Sequence, residues 1–184
     1  MKKMRKYILS GIIFLIMFSM MGCGVNHKSP EGVVSSMIES YAKGKDKKVK
    51  DCYNAKKDAS EELQTEIDAV TKYFKAQKAK KISVADCDIL SESDSYTYVY
   101  VIYHFELEDG QIYPCIGTYM TRQEDGKYYV IPASEITEDM SKQAATDYAK
   151  FMTTDVYKNY TTAYDTFTKK NPGYEDKVAQ RLLV

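Results

Sequence analysis

From Tyr96 to Leu107 the residues alternate between two phases. Val99, Val101, Tyr103, Phe105 and Leu107 share one, and Tyr96, Tyr98, Tyr100, Ile102 and His104 the other. A period of two over that length is strand geometry, and it excludes a helix there. Asp109-Gly110 follows as a hairpin dipeptide, residues 111–122 return, and Asp125-Gly126 turns the chain into residues 127–132. Residues 82–90 read as a preceding strand whose apolar phase slips between Val84 and Cys87, the mark of a bulge. Pairing across the first turn places Leu107 opposite Ile112 and Val99 opposite Met120. Ile112, Ile116 and Met120 then join the Val99–Leu107 face, and His104 lies opposite Cys115. The expectation is a four-stranded antiparallel meander.

Helical signals flank this sheet. Ser29-Pro30-Glu31 is an N-cap, a first-turn proline and an acidic residue, followed by Val34, Met37, Ile38 and Tyr41 at helical spacing and Gly44 as a stop. Asp46 is expected to cap a short second helix with Val49, Cys52 and Tyr53 on one face. A third helix starts at Asp58 or Ser60 and carries the stripe Leu63, Ile67, Val70 and Phe74. After Pro132, Thr137 caps a helix carrying Ala144, Ala145, Tyr148 and Met152. Residues 155–170 form another, with Val156, Tyr160, Ala163 and Phe167 in phase, and residues 174–183 a last one beyond Asn171-Pro172-Gly173.

The N-terminus carries an address. Lys2, Lys3, Arg5 and Lys6 precede an apolar stretch from Tyr7 to Met21, then Gly22-Cys23 and the polar run Gly24 to Ser29. A charged start and a short apolar core mark a secretory signal, and the stretch is shorter than the ~20 residues of a spanning helix. The Gly-Cys ending resembles the lipobox of bacterial lipoproteins, which implies cleavage after residue 22 and a lipid-modified Cys23. The expected division is therefore a signal peptide over 1–22, lipidated Cys and tether over 23–29, an α+β domain over 30–132 and a helical extension over 133–184.

Three helices followed by an antiparallel meander is similar to the nuclear-transport-factor-two-like (cystatin-like) domain. The opening Ser29-Pro30-Glu31-Gly32-Val33-Val34, with Tyr41-Ala42-Lys43-Gly44-Lys45-Asp46 after it, resembles the start of lipid-anchored members in Gram-positive bacteria. The resemblance covers residues 29–132. It implies a fold of N-terminal helices packed on a curved, cone-like antiparallel sheet, and it leaves function open, since such folds serve enzymes, binding modules and scaffolds alike.

Residues 23–184 carry 22 basic and 26 acidic side chains, a net charge of −4 unsuited to wrapping a nucleic acid. Cys52, Cys87 and Cys115 are an odd number without CxxC spacing, which reads as buried small side chains and leaves open whether two of them pair. No phosphate loop, nucleophile elbow or HExxH motif occurs. No catalytic, metal or cofactor residue is therefore expected. His104, with Glu106 as its nearest carboxylate in sequence, lacks an orienting third group.

The sequence points instead to a lipid-anchored extracytoplasmic binding module, held at the membrane by Cys23 and engaging a protein, peptide or glycan. Its candidate binding residues are Tyr100, Tyr113, Tyr119 and His104, set on a tyrosine-rich sheet face. The C-terminal helices are the competing cover for that face, through Tyr148, Met152, Val156 and Tyr160. Two other functions stay open: an enzyme or hydrophobic-ligand carrier using the cone interior, and an accessory of a secretion or immunity system. The lysines around the second helix read as a solvated face that leans on an anionic surface only secondarily.

Overall fold

The computed structural model describes residues 24–56 and 58–183; the signal segment 1–22 and Cys23 lie outside the described residues. These form six helices around a four-stranded antiparallel sheet, an α+β architecture. Helices α1 (Pro30–Ala42), α2 (Asp46–Cys52) and α3 (Glu61–Ala76) lead into strands β1 (Lys81–Glu92), β2 (Thr97–Glu106), β3 (Ile112–Glu124) and β4 (Lys127–Val130), paired in chain order. A 3-10 turn at Ala133–Glu135 precedes α4 (Glu138–Phe151), α5 (Asp155–Lys170) and α6 (Tyr174–Leu183). None of these helices is long and apolar enough to cross a membrane.

Local chemistry sets the helix starts. The side chains of Ser29, Ser60, Thr137 and Thr154 each accept a backbone N–H of the first turn, satisfying donors that have no partner within the helix. The second helix departs from expectation: Asp46 is its first residue, and Lys45 stands at the cap without a side-chain bond. At α1, the stripe Val33, Val34, Met37, Ile38 and Tyr41 is buried, and at α3 Leu63, Ile67 and Phe74. Both stripes pack on Val99, Val101, Tyr103 and Phe105 of β2, forming the main core.

The β2–β3 register differs from the expected one by a single residue. Glu106 pairs with Ile112 and Val99 with Tyr119. The cause is the turn. Leu107 N–H donates to Gln111 O, Gly110 N–H donates to Leu107 O, and Gly110 has φ +79°. Glu108-Asp109-Gly110 is thus a three-residue loop closed by a left-handed glycine, not a two-residue turn. One extra loop residue moves every β3 side chain to the opposite face. Tyr113, Cys115 and Tyr119 face the helices α1 and α3, while Ile116 and Met120 join the outer face with Tyr98, Tyr100 and Ile102. Ile112, expected in the core, is half exposed at 50%. The bulge in β1 forms as expected, with Ala85 inserted between the pairs Val84–Tyr103 and Asp86–Ile102, and a second one follows at Leu90.

The C-terminal helices cover the outer face. Ala144, Met140 and Tyr148 of α4 pack on Tyr96, Tyr98 and Met120, and Phe151 stacks on Tyr100 with ring centroids 4.7 Å apart. Val156, Tyr157 and Tyr160 of α5 continue the layer over Ile102 and Ile116. Met152, expected to share this contact, is 46% exposed, and Phe151 takes its place. Farther along, the chain rounds the β2–β3 hairpin. Phe167 and Tyr174 both lie 5.0 Å from Tyr113, and α6 docks on the end of α3, where Arg181 Nη1 donates to Ala76 O at 2.7 Å and Tyr174 OH to Gln77 Oε1 at 2.8 Å. The extension therefore shares the main core instead of hanging from it.

One polar atom in that core is left over. The Tyr41 hydroxyl is buried and has no hydrogen-bond partner among the described residues. A buried hydroxyl without a partner costs desolvation with no return. Tyr41→Phe is expected to hold stability constant or raise it by up to ~1 kcal/mol, read by urea unfolding. A loss of more than ~1 kcal/mol would show that the hydroxyl has a partner.

Candidate functional site

A cleft of about 250 Å³ opens on the outer side of the sheet, between the strands and α5. Its floor is Ile102 and Pro114, its helical wall Val156, Asn159, Tyr160 and Ala163, and Asp86 and His104 supply the polar groups of the sheet. The β1 bulge creates this pairing of charge and imidazole. The inserted Ala85 brings Asp86 opposite Ile102, on the same face as His104 and diagonal to it. Tyr100 OH donates to Asp86 Oδ2 at 2.8 Å and fixes the carboxylate.

His104 is half-buried, and that burial depresses its pKa, so the imidazole enters the cleft neutral at ordinary pH. Its ring makes no hydrogen bond among the described residues. One nitrogen is then a donor and the other an acceptor, both available to a ligand. Together with the Asp86 carboxylate and the Asn159 amide, the cleft offers hydrogen bonds of both senses above an apolar floor. It is suited to hold a small group bearing hydroxyls or amides.

The four candidates from the sequence do not assemble. Tyr100 and His104 lie on the outer face, and Tyr113 and Tyr119 on the side of α1 and α3. Tyr100 is buried beneath Phe151, and its ring is packing while its hydroxyl braces Asp86. Tyr113 is buried against Phe167 and Tyr174, and donates to Glu175 Oε1 at 2.8 Å. Tyr119 packs on the main core, its ring lying over Gly117, where a Cβ would meet Tyr119 Cε2 at 3.1 Å. Of the four, His104 is the one that lines this cleft among the described residues.

The expected apposition of His104 with Cys115 also fails, because Pro114 faces His104 and Cys115 points through the opposite side of the sheet. Burial pushes the Cys115 thiol up to about 12, so it stays protonated, and its Sγ lies 3.5 Å from Tyr73 OH. All three described cysteines are free. Among the described residues no group of three or more His, Cys, Asp or Glu side chains is arranged to hold a metal ion.

Asp86 and Asn159 have no counterpart among the residues expected from the sequence. The phase slip at Val84–Cys87 was the available signal for the first, since a bulge there turns an aspartate outward. Asn159 precedes Tyr160 on the α5 stripe and depends on how that helix is rotated.

The chain matches no family model, no curated protein and no solved structure.

Proposed function

We propose that this protein is a lipid-anchored extracytoplasmic binding module, held at the outer face of the cytoplasmic membrane through Cys23, with a cone-like domain of the nuclear-transport-factor-two-like kind. The observation that carries the anchor is the N-terminal pattern: a basic start, a short apolar core, and Gly22-Cys23 directly before the folded domain. Two acyl chains on one cysteine give stable anchoring, where a single chain gives only marginal binding. Cys23→Ser should release the protein from the membrane fraction or stall it at precursor size. Retention at mature size would sink the lipoprotein reading.

The cleft between His104, Asp86 and Asn159 is the proposed recognition site, and a hydroxyl-rich or amide-bearing group of a glycan or peptide is its proposed occupant. The interior-carrier alternative has less support, because Phe74, Tyr103, Phe105 and Tyr113 fill the space between helices and sheet with ring-to-ring contacts. Imidazole resonances report on the cleft directly. Titration with sugars and short peptides should shift those of His104 and leave those of His27 unmoved. Silence at His104 across both classes would remove the site.

A further inference from the structure

The polar run before α1, expected to be a tether, is bound to the domain. Val25 packs against the main core. Asn26 N–H donates to Ser36 Oγ at 3.0 Å. His27 is held on four sides. Its carbonyl accepts Tyr128 N–H at 3.0 Å, and its Nδ1 lies 2.8 Å from Tyr128 O. Its Nε2 lies 3.3 Å from Asp51 Oδ1 of α2, and its ring is 4.7 Å from that of Tyr129. A carbonyl can only accept, so Nδ1 is the donor in its contact with Tyr128 O. With Val25 seated, Cys23 is two peptide units away, at most ~7.6 Å between Cα atoms. There is no leash.

The surface beside this attachment is basic. Between residues 42 and 58 the sequence has seven lysines and three aspartates, a net +4, in a chain whose residues 23–184 sum to −4. Val49 and Cys52 turn into the core, which sends Lys47 outward from α2 and leaves Lys48 and Lys50 partly exposed at its flanks, with Lys45 exposed at its start. Lys47 and Lys48 precede Asp51 by four and three residues, on the side that meets His27. The acids nearby are largely engaged. Asp51 meets His27 and Lys56, Glu39 pairs with Lys43, and Glu124 takes Asn54 and Arg122. Asp46 sits in the first turn of α2, where it answers the helix dipole.

We propose that the α2 face is a membrane-docking surface for anionic phospholipid headgroups, and that its occupant is the bilayer holding Cys23. The inference rests on the lipid-anchor reading. An anchor within ~7.6 Å of a seated residue brings the bilayer beside α2, which the same segment meets through the His27–Asp51 contact, and a surface potential acts over roughly 8–10 Å at physiological salt. The remaining chain, acidic on balance, is turned away by the same field. The protein therefore stands on the membrane in one orientation, with the C-terminal helices and the outer cleft held away from it.

The test is surface labelling of the mature lipidated protein, residues 23–184. It is reconstituted into vesicles of phosphatidylcholine alone or rich in phosphatidylglycerol, exposed to a water-soluble amine-acylating reagent, and mapped by peptide mass spectrometry. In the anionic vesicles, Lys45, Lys47, Lys48 and Lys50 should label at least about fivefold less than in detergent. Lys142, Lys158 and Lys169 should label equally in both, and high salt should restore the α2 lysines. Equal labelling of α2 in anionic vesicles and detergent overturns the docking surface while leaving the anchor intact. Protection that appears only on adding a phosphate-rich wall polymer overturns the lipid assignment. A protein that fails to float with either vesicle overturns the anchor, and the docking surface with it.

Discussion

Truncation after Pro132 should give a chain that fails to stay folded and monomeric. The missing helices bury one whole side of the sheet. Without them Tyr98, Tyr100, Ile102, Ile116 and Met120 would form a continuous apolar field on three strands, larger than the few hundred Å² a monomer tolerates. The loss extends to the other side, because Phe167 and Tyr174 close the ring cluster around Tyr113 and Arg181 binds the last turn of α3. Size-exclusion chromatography and near-ultraviolet circular dichroism of the shortened chain are the measurement. A soluble monomer with native side-chain signals would make the extension an appendage and would reopen the tyrosine-rich face as a binding surface.

Phe105→Ala should cost ~3–5 kcal/mol of unfolding free energy. The ring is fully buried and touches Tyr73, Phe74, Tyr103 and Tyr113, with centroids 5.2 to 6.4 Å apart. These surround it from α3, β2 and β3, so the space left by its removal has little freedom to collapse. Ile112→Ala is the control. Half exposed at the strand end, it should cost under ~0.5 kcal/mol. The two-residue-turn register would make both changes severe, so denaturant unfolding of the pair decides between the registers as well as measuring the core.

The order and the approximate bounds of the elements were legible because each rests on local chemistry: serine and threonine caps, period-two alternation, and Asp-Gly at both turns. The faces of β2 were legible for the same reason, since Val99, Val101 and Phe105 need only their own strand's phase. The faces of β3 were not. Asp109-Gly110 suits a two-residue turn and the end of a three-residue one equally, and the choice fixes where Tyr113, Cys115, Tyr119 and Met120 point. That single ambiguity produced the expected tyrosine site and the expected His104–Cys115 pair. The path of the extension was also illegible, because it depends on partners far apart in sequence, such as Arg181 with Ala76 and Glu175 with Tyr113. Of the expected site residues, His104 lines the outer cleft, and its neighbours there come from a bulge and from the rotation of α5.

The two bulges in β1 have a consequence for crowding. β1 is the outermost strand at one side of the sheet, and over its 12 residues it would be a long template for an incoming strand. Ala85 and Leu90 each interrupt the two-residue repeat. A foreign strand laid along it stays in step for only a few residues before its side chains fall on the wrong side. Asp86, Asp88 and Glu92 place charge along the same strand, and at the opposite border His27 occupies the main-chain groups of Tyr128. Many copies of this chain brought close together would thus lack a straight, vacant border along which to join edge to edge, and their concentration could rise without seeding fibrils.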